Sequence, residues 1–141
     1  HGMEELTIRP KLFSFRVEAF SSENRTEGNG SLWKLELKQE IQVGLAAPIN
    51  ADTPFQAVVK IELLADASNE NDLQQTASFK GEYVAKFNFP IEAAEAVIND
   101  LIDREPYQYV LVAQAFPLAM THFRRELQAT GFNGQQLPLG I

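Results

Sequence analysis

The chain predicts an α+β domain: a four-stranded antiparallel sheet, arranged as a meander, followed by a short and a long helix on one face. Three observations carry this. Up to Pro90 the apolar residues recur with period two, beyond Pro90 they recur with helical spacing, and the joins between the alternating runs are short and polar.

The N-terminal run is the least regular. Leu6 and Ile8 alternate in one phase, and Phe13, Phe15, Val17 and Ala19 in the other. The slip falls at Pro10 to Leu12, which predicts a bulge or bend. Proline beside it favours an edge strand. Three cleaner runs come after it. From Trp33 to Leu45 the odd positions are Trp33, Leu35, Leu37, Gln39, Ile41, Val43 and Leu45, apolar but for Gln39, and Lys34, Glu36, Lys38, Glu40 and Gln42 lie between them. Phe55 to Leu63 repeats the pattern with Ala57, Val59 and Ile61, and a run through Ala77, Phe79, Tyr83, Ala85, Phe87 and Phe89 repeats it again. Each run therefore has one face to bury and one for water. The joins are Ser21 to Gly30 with a turn signal at Asn29-Gly30, Ala46 to Thr53, and Ser68 to Asp72.

After Pro90 the residues Ile91, Ala94, Val97, Ile98, Leu101 and Ile102 keep helical spacing. Pro90 suits a first-turn position, Glu92 and Glu95 suit the positive end of a helix, and Pro106 ends it. A longer helical pattern covers about Tyr109 to Thr130. Phe116, Met120, Phe123 and Leu127 form one stripe, and Leu111, Ala115, Leu118 and His122 its neighbour. Two adjacent apolar stripes exceed what one sheet contact needs. Phe116, Met120, Phe123 and Leu127 are therefore the candidate oligomer interface. Pro117 inside this helix removes a backbone donor, which points to a packing requirement.

The totals restrict the function. A chain of 141 residues that is 45% hydrophobic can bury the core of one domain, expected over residues 3–141. His1-Gly2 reads as a tag remnant before Met3. A net charge of −7 disfavours nucleic acid and anionic lipid as partners. With no cysteine there is no disulfide, thiol nucleophile or cysteine-based metal site, and a cytoplasmic location is expected. No apolar run reaches bilayer-spanning length, and no basic-then-apolar leader is visible, so no membrane insertion is expected.

Motifs of catalysis are missing. His122 stands outside the tag remnant without a second histidine, a cysteine or HExxH spacing, and reads as a helix residue rather than a base or ligand. Glu92, Glu95, Asp100, Asp103 and Glu105 read as a solvated helix face rather than a cation site. Asn24-Arg25-Thr26 matches a glycosylation acceptor by chance. The glycines form no phosphate-binding fingerprint, and no serine sits in a nucleophile elbow. No catalytic, cofactor or metal residue is expected. Phe13, Phe15, Phe79, Phe87, Phe89 and Phe116 fall mostly on core faces, and the alternation does not tell which of them line a groove for apolar peptide.

Four antiparallel strands, a crossover and a long helix resemble the protein-export chaperone SecB. Phe116-Pro117-Leu118-Ala119 resembles the Phe-Pro-x-Ala start of that family's long helix. Gly131-Phe132 followed by Leu137-Pro138-Leu139 resembles its glycine stop and Leu/Pro-rich segment. Val112 to Ala115 stands where that family commonly has Cys-Pro-Asn, and the sequence reaches Ile141 without the family's final helix and export-docking tail. A divergent branch, with a role not tied to export, is therefore expected. The resemblance implies a homo-oligomer, dimer or tetramer, in which first strands pair across a dimer and long helices pack between dimers. It implies ATP-independent binding of unfolded or partner polypeptide, without cofactor and without enzymatic activity. The alternative from the residues alone is a small-molecule-binding or enzymatic α+β domain with a pocket between sheet and long helix.

Overall fold

The structure is a computed structural model that describes residues 8–25 and 33–132. Four long strands come first: β1 (Lys11–Asn24), β2 (Trp33–Ala46), β3 (Gln56–Asn69) and β4 (Thr76–Asn88). The helices α1 (Glu95–Ile102) and α2 (Glu105–Ala129) come after them. All strand neighbours are antiparallel, in the order β1-β4-β3-β2. Thus β2, β3 and β4 form the expected meander, while β1 returns to the far edge beside β4. β1 and β2 are the two edges of the sheet.

β2, β3 and β4 pair in unbroken register and their alternate residues face the helices, Gln39 of β2 being an exposed exception. Ala57, Val59, Ile61, Leu63, Ala65 and Ala67 of β3, and Ala77, Phe79, Tyr83, Ala85 and Phe87 of β4, are buried on the face toward the helices. Regular register comes from regular alternation, because a slip by one residue would expose the whole apolar set. Gln56 Nε2 donates to Asn88 Oδ1 at 2.7 Å across β3 and β4, one of the polar pairs on the opposite face.

β1 departs from the ladder twice. Its pairing with β4 skips a residue between Leu12 and Ser14 and again between Val17 and Ala19, so Phe13 and Glu18 are extra residues on β1. The expected irregularity of this strand is present, one residue beyond the expected place and then a second time. Each bulge reverses the phase of the residues after it. Phe15 and Phe20, opposite Ala85 and Gly81, both reach the core side although their spacing along the strand is odd. Ala19, expected on the same face as Phe15, pairs with Glu82 on the outer face, and Phe13 is the unpaired residue of the first bulge.

The helix boundaries differ from those expected. Pro90 begins a turn closed by the Ala93 N–H donating to the Pro90 carbonyl at 3.0 Å, and α1 starts only at Glu95. Pro106 lies in the first turn of α2 instead of ending α1; there its missing N–H costs nothing. The long helix therefore begins at Glu105, and Pro117 lies in its interior rather than at its start. The stop at Gly131 is as expected. Gly131 adopts φ 98°, a left-handed conformation suited to glycine. The Phe132 N–H donates to the Leu127 carbonyl and the Gly131 N–H to the Gln128 carbonyl, both at 3.0 Å. This closure turns Phe132 inward onto Phe79, with ring centroids 5.3 Å apart. Leu137-Pro138-Leu139 and Asn29-Gly30 lie outside the described residues.

Candidate functional site

α2 lies over the sheet through the very stripe expected to meet a second subunit. Phe116, Met120, Phe123 and Leu127 are each 0% exposed and belong to the core with Phe79, Tyr83 and Phe87. The correction is physical: one 25-residue helix is the main cover for an apolar sheet face, so its widest apolar stripe is consumed there. No surface of these four residues remains for a partner. The space between sheet and long helix, where a small-molecule pocket was considered, is filled by the same side chains. Three hollows lined by described residues lie instead on the outer face of the sheet. The one bordered by Glu18, Glu40, Lys60, Glu62 and Glu82 has a volume of about 250 Å³ and is open to solvent.

Exposed large apolar residues on the regular elements lie on β1 and α2, while Ile49, Leu73 and Ile91 are exposed in the joins between elements. Phe13 is 64% exposed, Leu12 and Val17 are 42% exposed, and Leu118 on α2 is 40% exposed. Leu12 and Val17 pair with Phe87 and Tyr83, so they sit on the helix side of the sheet at its rim. Phe13 is the extra residue of the first bulge, which removes it from the core phase. Leu118 lies one helical turn before His122, on the side of α2 that faces β1. Tyr109 and Val110, nearer the start of α2, are also exposed.

Beneath this strip is an aromatic floor that joins β1, β4 and α2. Phe15 stacks on Tyr83 with centroids 5.9 Å apart and an interplanar angle of 13°. Phe20 meets His122 and Phe123 edge-on at 5.8 and 6.0 Å. Tyr83 Oη lies 2.9 Å from His122 Nδ1, the hydroxyl donating when the imidazole proton is on Nε2, and Nε2 lies 3.4 Å from Glu126 Oε1. Burial, and then the Glu126 carboxylate, push the Tyr83 phenol well above its ordinary range, so it remains a neutral donor. Tyr107 Oη donates to the Ile8 carbonyl at 2.9 Å, fixing the start of α2 to the residue run that leads into β1. Burial pushes this phenol up to about 12, against a smaller opposing effect of Arg9.

His122 is half-buried and engaged on both ring nitrogens. Asp100 is ion-paired with Arg104 at 2.6 Å, and Glu92, Glu95, Asp103 and Glu105 are exposed, as a solvated helix face requires. Among the described residues no set of three His, Asp or Glu side chains is placed to hold a metal ion, and no helix is long and apolar enough to cross a membrane. Sequence reasoning missed Leu12, Val17 and Leu118 as site residues. The available signal was the phase slip at Pro10 to Leu12, which warned that residues nearby would leave the buried phase.

No protein-family model and no curated protein matches the sequence. The fold itself has a counterpart. The SecB-like chaperone Rv1957 of Mycobacterium tuberculosis, solved in complex with a ChAD peptide from the Rv1956 HigA1 antitoxin, superposes with a TM-score of 0.60. The match covers 97% of this chain and 93% of that one, at 14% sequence identity. The chain has the SecB-like fold, and the low identity fits a divergent branch of it.

Proposed function

We propose that this protein is a SecB-like, ATP-independent binder of unfolded or partner polypeptide, cytoplasmic and without enzymatic activity. The observation that carries the reading is the exposed apolar strip of Leu12, Phe13, Val17 and Leu118, set on a fold shared with a chaperone solved with a bound peptide. Soluble monomers seldom leave neighbouring large apolar side chains open without a use for them. An extended chain laid along the strip would bury its apolar side chains against these residues, each contributing about 1.5–3 kcal/mol before the cost of ordering the chain. Such binding lowers the free concentration of unfolded chain by mass action and needs no nucleotide.

Light scattering by an aggregating client tests the proposal. Stoichiometric protein is expected to suppress the scattering with no nucleotide present. No protection of any unfolded client, together with no binding of unstructured peptides, contradicts it.

A further inference from the structure

The last described residue, Phe132, fixes the place from which residues 133–141 set out. It follows the Gly131 closure of α2 and is buried against Phe79. Phe79 stands beside Ser22 of β1 in the sheet. From that level β1 runs back past Val17, which pairs with Tyr83, to Leu12, which pairs with Phe87. At a strand rise of about 3.4 Å per residue, Val17 lies roughly 14 Å and Leu12 roughly 27 Å from the level of Phe79.

Residues 133–141 lie outside the described residues, and it is their sequence that bears on the apolar surface. Asn133 to Ile141 carries no charge, and Leu137, Leu139 and Ile141 recur at alternate positions. That spacing presents apolar side chains together along an extended chain. Pro138 biases the residue before it toward extended backbone. Reach agrees with spacing. Five residues from Phe132 to Leu137 span at most about 18 Å, and nine to Ile141 at most about 32 Å, enough to arrive at Val17 and then at Leu12. An uncharged segment also meets no electrostatic repulsion from a chain of net charge −7. Residues 1–7 fit the same surface less well, because Glu4 and Glu5 separate Met3 from Leu6.

We infer that Leu137, Leu139 and Ile141 occupy the strip of Leu12, Phe13, Val17 and Leu118 in the same chain and compete there with polypeptide. The consequence for binding rests on the function proposed above, whereas the docking stands without it. A tethered segment acts at an effective concentration of the order of millimolar, so even weak docking covers the strip for much of the time. The exposed apolar side chains are then shielded until a client arrives. A longer unfolded chain, with more apolar side chains to bury, displaces the segment. A short or weakly apolar one does not. The segment therefore sets the affinity that a client must exceed.

Because the chain has no cysteine, paired cysteines report the docking without background. Val17→Cys with Leu137→Cys is expected to close an intramolecular disulfide under mild oxidation of dilute protein. Ser14→Cys with Leu137→Cys is not, because Ser14 pairs with Lys86 on the outer face. Changing Leu137, Leu139 and Ile141 together to Ser is expected to raise the affinity for a labelled unstructured peptide roughly fivefold or more, at an unchanged denaturation midpoint. A synthetic peptide of residues 133–141 is expected to displace the label from that variant. The inference is overturned by equal cross-linking of the two cysteine pairs, or by disulfides that form only between chains, which would make a second copy the occupant. Unchanged peptide affinity in the Ser variant overturns the competition. If neither protein binds any peptide, the proposed function falls, and the disulfide pattern still decides the docking.

Discussion

Tyr83 shows how tightly the interior is specified at single positions. Its ring lies over Gly81, on the same strand two residues earlier. A Cβ built at Gly81 would sit 2.5 Å from Tyr83 Oη and 2.7 and 2.8 Å from ring carbons. The ring has little freedom to give way, because it is buried, stacked on Phe15 and bonded to His122. Gly81→Ala is therefore expected to lower stability by about 1–3 kcal/mol in urea titration, as overpacking does. The raised phenols make a second prediction. A group with a folded pKa above its unfolded value contributes stability that is complete below the unfolded value and is lost as pH rises toward the folded one. For Tyr107, the unfolded value is 10.0 and the folded value about 12. The urea midpoint is expected to fall between pH 10 and 12, and Tyr107→Phe to make that fall shallower. A midpoint rising over this interval contradicts the assignment.

Among the elements, α2 is the one that carries an apparent defect. Pro117 cannot donate to the Ala113 carbonyl one turn earlier, and both residues are exposed, so the orphaned carbonyl faces water. Water softens the loss but does not remove the ring's interference with the helix. Pro117→Ala is expected to raise stability by about 1–3 kcal/mol, measured as a shift in denaturation midpoint at unchanged slope. A loss of stability would show that the proline holds a shape the core requires. The elements also show where the sequence was readable. β2, β3 and β4 were, because a regular ladder makes a period of two in the chain. β1 was readable only as an edge: two bulges reverse its phase, so Phe15 and Phe20 share a face that no simple alternation connects. Phe116, Met120, Phe123 and Leu127 were correctly seen as one apolar stripe. Their assignment to an oligomer failed because periodicity shows which residues are covered, not what covers them.

At the scale of the molecule, each surface has a different character. The helix-side core closes the chain on itself, the outer sheet face is a lattice of Lys and Glu, β2 offers a regular edge, and β1 with α2 offers an apolar one. Neither edge is covered within the described residues, and the composition of the edge formed by β1 and α2 suits an extended chain with apolar side chains. The fold likeness directs attention to polypeptide, and the strip gives that likeness a location. The most direct test is the affinity of a labelled unstructured peptide, by fluorescence anisotropy, for wild type and for the variant with Leu12, Phe13, Val17 and Leu118 all changed to Ser. These side chains are exposed to at least 40%. The account predicts binding weakened by roughly a hundredfold or more with folding retained, as expected when exposed anchors of a binding surface are lost. Unchanged affinity in a folded variant would contradict it.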